Sequence, residues 1–106
     1  MPELLFGKMD SILKRINTEL ARYEREHAQS RTSLYRQNSV SVRIRIIDPS
    51  FEGLTRAERS KRVWEYLHRL PQDAQSDITV LLLLTPNEVQ TSFGNLDFER
   101  PVPSAI

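Results

Sequence analysis

Cysteine is absent from this chain. That excludes disulfides, thiolate nucleophiles, zinc knuckles and any iron–sulfur cluster ligated by the chain's own sulfur. Histidine is scarce, present only as His27 and His68, so a metal site would have to be dominated by carboxylates. Neither a His-x-x-Glu-His pattern nor an aspartate-rich calcium loop appears. Glycine is also sparse, and there is neither a glycine-rich phosphate cradle nor a Gly-x-x-Gly nucleic-acid loop. The longest apolar run, Val80 to Leu84, is far short of the roughly 20 residues needed to cross a bilayer. The opening MPELLFGK lacks the charged leader and apolar core of a signal peptide. These absences lead to the expectation of a soluble, cytoplasmic protein with no membrane role. A formal net charge of +1 provides no global field for nucleic acid, so any such site must be local.

What is present is ordinary for a globular chain. Hydrophobic residues make up 39% and charged residues 27% of the sequence, which argues against wholesale disorder. With 106 residues, there is enough chain for one hydrophobic core and too little for two. From Lys8 to His27, Met9, Ile12, Ile16, Leu20 and Tyr23 recur at helical spacing, flanked by Leu13. RTSLYRQNSVSVRIRII then reads as two strands around a tight turn at Gln37, Asn38 and Ser39, with Asn able to take a left-handed backbone. Val40, Val42, Ile44 and Ile46 alternate with Ser41, Arg43 and Arg45, which predicts one buried and one polar face.

Asp48-Pro49-Ser50 ends that strand, and a second helix runs from Leu54 or Thr55 to about Leu70, where Pro71 stops it. Asp73, Gln75 and Ser76 read as a loop. ITVLLLLT is a third strand with apolar residues on both faces, parallel to its predecessor across a helical crossover. The predicted fold is α+β, in the order α-β-β-α-β, with a three-stranded mixed sheet and helices packed on it. One domain over residues 1–90 is expected, followed by a mobile C-terminal tail over 91–106 unless Phe93, Leu96 or Phe98 docks.

The helix RAERSKRVWEYLHRL is dense in arginine. Val63, Leu67 and Leu70 share one face, and Glu58 with Arg62, Lys61 with Glu65, and Glu65 with Arg69 stand four apart on the other, where each pair interacts by about 0.2–0.5 kcal/mol. This neutralises much of the positive charge and predicts a solvated outer face. Arg56 and Arg59 lie in the first turn, where neither the helix dipole nor a partner at that spacing helps them. Arg59 is expected to clamp a carboxylate or carbonyl within the fold, with an outward anion ligand as the alternative.

Phe51, Gly53 and Arg59 in the pattern F-x-G-x-x-x-x-x-R, the following helix with Val63, Trp64 and Leu67, and a strand running into Thr85-Pro86-Asn87-Glu88 together resemble the BolA family over residues 40–89. The resemblance implies a class II KH-like fold and a small non-enzymatic adaptor or regulator. It implies monothiol glutaredoxins as partners, an iron–sulfur cluster shared through histidine in some members, and DNA-binding transcription regulation in others. This chain has Ser60 and Asp77 where the family typically has histidine. Neither side chain equals imidazole as an iron ligand beside thiolates.

A nucleophilic role for Ser60 or Ser76 lacks a base at useful spacing, and no enzymatic activity is expected. If helices cover the face bearing Val42, Ile44 and Ile46, the reverse side carries Arg43, Arg45 and Ile47 with Leu81 and Leu83, or their alternates, and Tyr35 can join them. Two covers are open for this strip: the tail, or a protein partner. The functional expectation is a BolA-like interaction domain lacking histidine-based cluster ligation, without a cofactor, existing as a monomer or weak homodimer. The alternative is a KH-like nucleic-acid binder using Arg43, Arg45, Arg56, Arg59 and Arg62.

Overall fold

Val42, Ile44 and Ile46 are fully buried, and their strand, β3 (Ser41–Ile47), lies inside a four-stranded sheet ordered β1-β2-β3-β4. It runs antiparallel to β2 (Arg31–Asn38) and parallel to β4 (Ile78–Leu84). The computed structural model describes residues 1–101. The class is α+β with a mixed sheet, as the patterning predicts, but the predicted three strands become four. The addition is β1 (Glu3–Leu4), parallel to β2 and extended by the Leu5 N–H donating to the Leu34 carbonyl at 3.0 Å. Two residues are too few to display an alternation of period two, so the sequence does not reveal this strand.

The hairpin between β2 and β3 turns by a different device from the one predicted. Its tip is Ser39–Val40, and no non-glycine residue has positive φ among the described residues. The Asn38 side chain instead accepts from the Val40 N–H at 2.9 Å, an Asx-type turn. Val40 is consequently exposed at the tip while Val42 begins the buried row.

Three helices cover the face bearing that row. α1 (Ser11–Glu26) starts where the Asp10 carboxylate accepts the Leu13 N–H at 2.8 Å. Leu13, Ile16, Leu20 and Tyr23 form its buried stripe, so Leu13 sits at the centre and Ile12 at the margin. α2 (Arg56–Leu67) begins with a reciprocal capping box between Thr55 and Glu58. The chain reaches it through a 3-10 turn at Pro49–Phe51 and through Gly53, whose φ of +80° would strain any side chain. Phe51 fills the core beneath this bend. α3 (Gln72–Asp77) forms where a loop is expected, because Ala74 buries completely against the core.

The reverse face is covered by the chain itself. After a 3-10 turn at Pro86–Thr91, α4 (Phe93–Glu99) lies across it. Phe98 is buried edge-on against Tyr35, with ring centroids 4.8 Å apart, and the Tyr35 hydroxyl donates to the Phe98 carbonyl at 2.6 Å. The described part of the segment expected to form a tail thus contributes a helix whose Phe98 docks. Residues 102–106 of that segment lie outside the described residues.

One polar pair is enclosed in the helix-side core. The Tyr23 hydroxyl donates to Asp48 Oδ2 at 2.6 Å, and the Ser50 N–H and hydroxyl both donate to Asp48 Oδ1 at 2.8 Å. Burial alone would raise the Asp48 carboxyl, but these donors outweigh it and hold it below its ordinary value. Replacing Tyr23 with Phe keeps the packing and removes one donor. Tyr23→Phe is therefore expected to cost about 1–2 kcal/mol, read as a lower urea midpoint at unchanged slope; an unchanged midpoint would show that the pair contributes nothing.

Candidate functional site

Arg59 closes the first turn of α2 and is nearly buried. Its Nε donates to the Leu54 carbonyl at 3.1 Å and its Nη1 to the Leu83 carbonyl at 3.1 Å. Nη1 and Nη2 also grip Glu88 Oε1 and Oε2 at 2.7 and 3.2 Å, while the guanidinium lies over the Phe51 ring. This is the predicted internal clamp, and its carboxylate partner is Glu88. Glu88 also accepts the Thr85 N–H at 2.8 Å. The Arg59 guanidinium first, and the Thr85 N–H second, hold the Glu88 carboxyl down at about 2, against an ordinary 4.5.

The clamp also fixes the orientation of β4. The Leu84 carbonyl accepts from the Asp48 N–H on the β3 side, whereas the Leu83 carbonyl is taken by Arg59. Successive residues of a strand direct their backbone groups to opposite sides. The backbone groups of Leu82 and Leu84 therefore point towards β3, and those of Leu81 and Leu83 point outward from the edge of the sheet. Among the described residues β4 pairs with β3 alone. Its outer edge offers the Leu81 N–H and carbonyl and the Leu83 N–H.

That edge forms the floor of a groove of about 740 Å³. One wall comes from Leu54, Arg56, Arg59 and Ser60 at the start of α2, and the other from Ser92, Phe93 and Gly94 at the start of α4. Gly94 permits the second wall to close in: a Cβ there would lie 3.1 Å from Leu82 Cδ1. Phe93 on this rim is 89% exposed, so the rim is apolar and open; Leu96, one turn later and 56% exposed, lines a separate hollow. Arg56 is exposed on the opposite rim.

The candidate residues named from sequence separate into distinct environments. Arg43 and Arg45 lie beneath α4. Arg43 donates to Asp97 at 3.0 Å, and Arg45 donates to Glu99 at 2.6 Å, to Asn95 at 2.7 Å and to Ser33 at 3.3 Å. Arg62 turns towards Ser50, 2.7 Å away, and over Phe51. Arg59 is the clamp. Arg56 alone of these is solvent-facing, so the arginines do not assemble into one surface. Leu81 and Leu83 pack against the helix-side core, and the alternates Val80 and Leu82 take the reverse face, because they pair with Arg43 and Arg45 while Leu81 and Leu83 pair with Ile44 and Ile46.

Ser60 borders the groove, and the Asp77 carboxylate is engaged by Arg36 at 3.1 Å. His27 stacks on Tyr23, and His68 closes the end of α2 beside Trp64. No cluster of three or more His, Cys, Asp or Glu suited to a metal ion occurs among the described residues. Sequence reasoning missed Glu88 as the partner of Arg59, although Thr85-x-x-Glu88 carries a legible capping signal. It also missed Phe93 and Gly94 as groove residues, and no local pattern would have revealed them.

Acid titration tests the clamp. The folded-state value of Glu88 lies below the unfolded one, so its stabilisation is full above 4.5 and is lost as the pH falls towards about 2. Arg59→Gln should weaken that acid dependence and lower stability by about 2–3 kcal/mol at neutral pH. A variant with a parental pH profile would refute the assignment.

Hydrogen exchange tests the edge. The Leu81 and Leu83 amides should exchange at least about tenfold faster than those of Leu82 and Leu84, which face β3. Equal protection of all four would show that the edge is covered. Compared with protein-family models, with curated proteins and with solved structures, the chain matches none.

Proposed function

We propose that this chain is a non-enzymatic protein-interaction domain of BolA-like kind, acting as an adaptor through the groove along β4. The observation that carries the reading is the conjunction of an unpaired strand edge with an exposed apolar rim residue, Phe93, in one concave site. Exposed apolar groups beside a concavity favour association with another macromolecule. Glu88, the carboxylate bordering the groove, suits structure better than turnover, because it is held in a two-pronged grip by Arg59.

The resemblance nominates monothiol glutaredoxins as the partner class. Histidine-based cluster sharing is not part of the proposal, since Ser60 and Asp77 occupy the relevant positions and Asp77 is held by Arg36. The dispersal of Arg43, Arg45, Arg59 and Arg62 into internal contacts disfavours the nucleic-acid alternative, which needs several phosphates neutralised together.

Titrating isotopically labelled chain with a monothiol glutaredoxin, with and without iron and sulfide, is the direct test. Backbone shifts centred on Leu81, Leu83 and Phe93 are expected under both conditions, without the visible absorbance of a shared cluster. Absence of any shift would overturn the glutaredoxin partnership. Binding to a single-stranded oligonucleotide that falls steeply with salt would favour the regulator reading instead.

A further inference from the structure

The β4 edge lacks the protection that natural sheets usually give an exposed strand. Ile78–Leu84 contains neither a charged residue nor a proline, and the features that normally discourage pairing are charges, prolines, bulges and very short strands. The opposite edge of the sheet is a strand of only two residues. β4 has seven, with an irregularity only at its start, between the pairs of Val42 and Arg43. Outward N–H and carbonyl groups remain at Leu81, and an outward N–H at Leu83.

From this geometry we infer that β4 accepts an extended, apolar segment of a partner protein carrying an acidic residue, which adds to the sheet as a further strand. This rests on the interaction-domain reading above and specifies the partner's chemistry and mode of binding. The Leu81 N–H and carbonyl and the Leu83 N–H form the ladder to the added strand. Arg59 ends the ladder by occupying the Leu83 carbonyl, so the segment is short.

Its side chains alternate between the two walls. Those on one face meet Leu82 and Phe93, and those on the other meet Leu54 and Arg56. Arg56 supplies the charge preference: it is exposed and has no anionic partner among the described residues, whereas Arg59 beside it is satisfied by Glu88. One free cation suits a single carboxylate and is too little for a nucleic-acid backbone. The two walls favour one extended segment over a second copy, because a second β4 edge would bring its own α2 and α4 walls against these.

The test uses the full chain and blocked pentapeptides of alternating valine and threonine with a glutamate at either end, alongside lysine counterparts. The glutamate peptides are expected to protect the Leu81 and Leu83 amides from exchange and to shift Phe93. Arg56→Glu, an exposed change at a helix start where acidic residues are favourable, should weaken the glutamate peptides by about fivefold and reverse the preference towards lysine. Phe93→Ser should weaken both series.

Peptide shifts elsewhere, no binding by any peptide, or binding indifferent to Arg56→Glu would overturn strand addition. A glutaredoxin titration that shifts Leu81, Leu83 and Phe93 without protecting the Leu81 and Leu83 amides from exchange would then leave the groove-interaction reading standing, which separates the two failures. Protection of Leu81 and Leu83 without peptide, accompanied by a concentration-dependent sedimentation coefficient, would assign the edge to a second copy and overturn the proposal.

Discussion

The guanidinium of Arg59 ties together parts of the chain that no backbone ladder connects: the Leu54 carbonyl ahead of α2, the Leu83 carbonyl on the sheet edge and the Glu88 carboxylate in the turn after β4. Taking such a charge out of water is costly unless its donors are met. Here the demand is met by two carbonyls and a carboxylate in a planar fork, a geometry that a lysine ammonium does not reproduce. Because one partner is an edge carbonyl, the clamp both fastens α2 to the sheet and marks where β4 stops being available for pairing.

A comparable economy holds the reverse face. Arg45 is almost wholly buried, yet Asn95, Glu99 and Ser33 engage its guanidinium and the Phe98 ring lies beneath it at 5.0 Å. The Arg45 Nε has no partner among the described residues, so the fit is incomplete at that atom. Even so, Arg43, Arg45 and Tyr35 all direct polar contacts to α4. Residues that look like a charged surface from sequence are therefore the fastening of a helix. The same contacts hold Phe98 in place and leave Phe93 and Leu96 facing outward.

Elements with periodic apolar residues were legible in the sequence. Val42, Ile44 and Ile46 defined the buried face of β3, and Val63 and Leu67 that of α2. Arg59 was recognisable as a clamp because its place in the helix gave it no local partner. What stayed hidden depends on contacts between distant residues. β1 exists because β2 offers it an edge, and α4 because Tyr35 and Arg45 offer it a surface. The faces of Leu81 and Leu83 depend on the pairing register, since a shift of one residue exchanges the two sides of a strand. A run of four leucines contains no alternation from which to read that register.

The two ends of β4 are fastened while the edge between them stays open. At its start, Asp77 is held by Arg36, which also grips Asp10 at 2.7 Å and so joins the strand to the cap of α1. At its end, Arg59 and Glu88 fix the exit. A strand restrained at both ends loses little further freedom when another strand pairs with it, which lowers the entropic cost of association. Phe51 beneath Arg59 and Gly94 beside Leu82 then set the spacing of the groove walls. The residues that stabilise the fold thereby also present a rigid edge, with specificity left to the exposed rims, Arg56 on one side and Phe93 on the other.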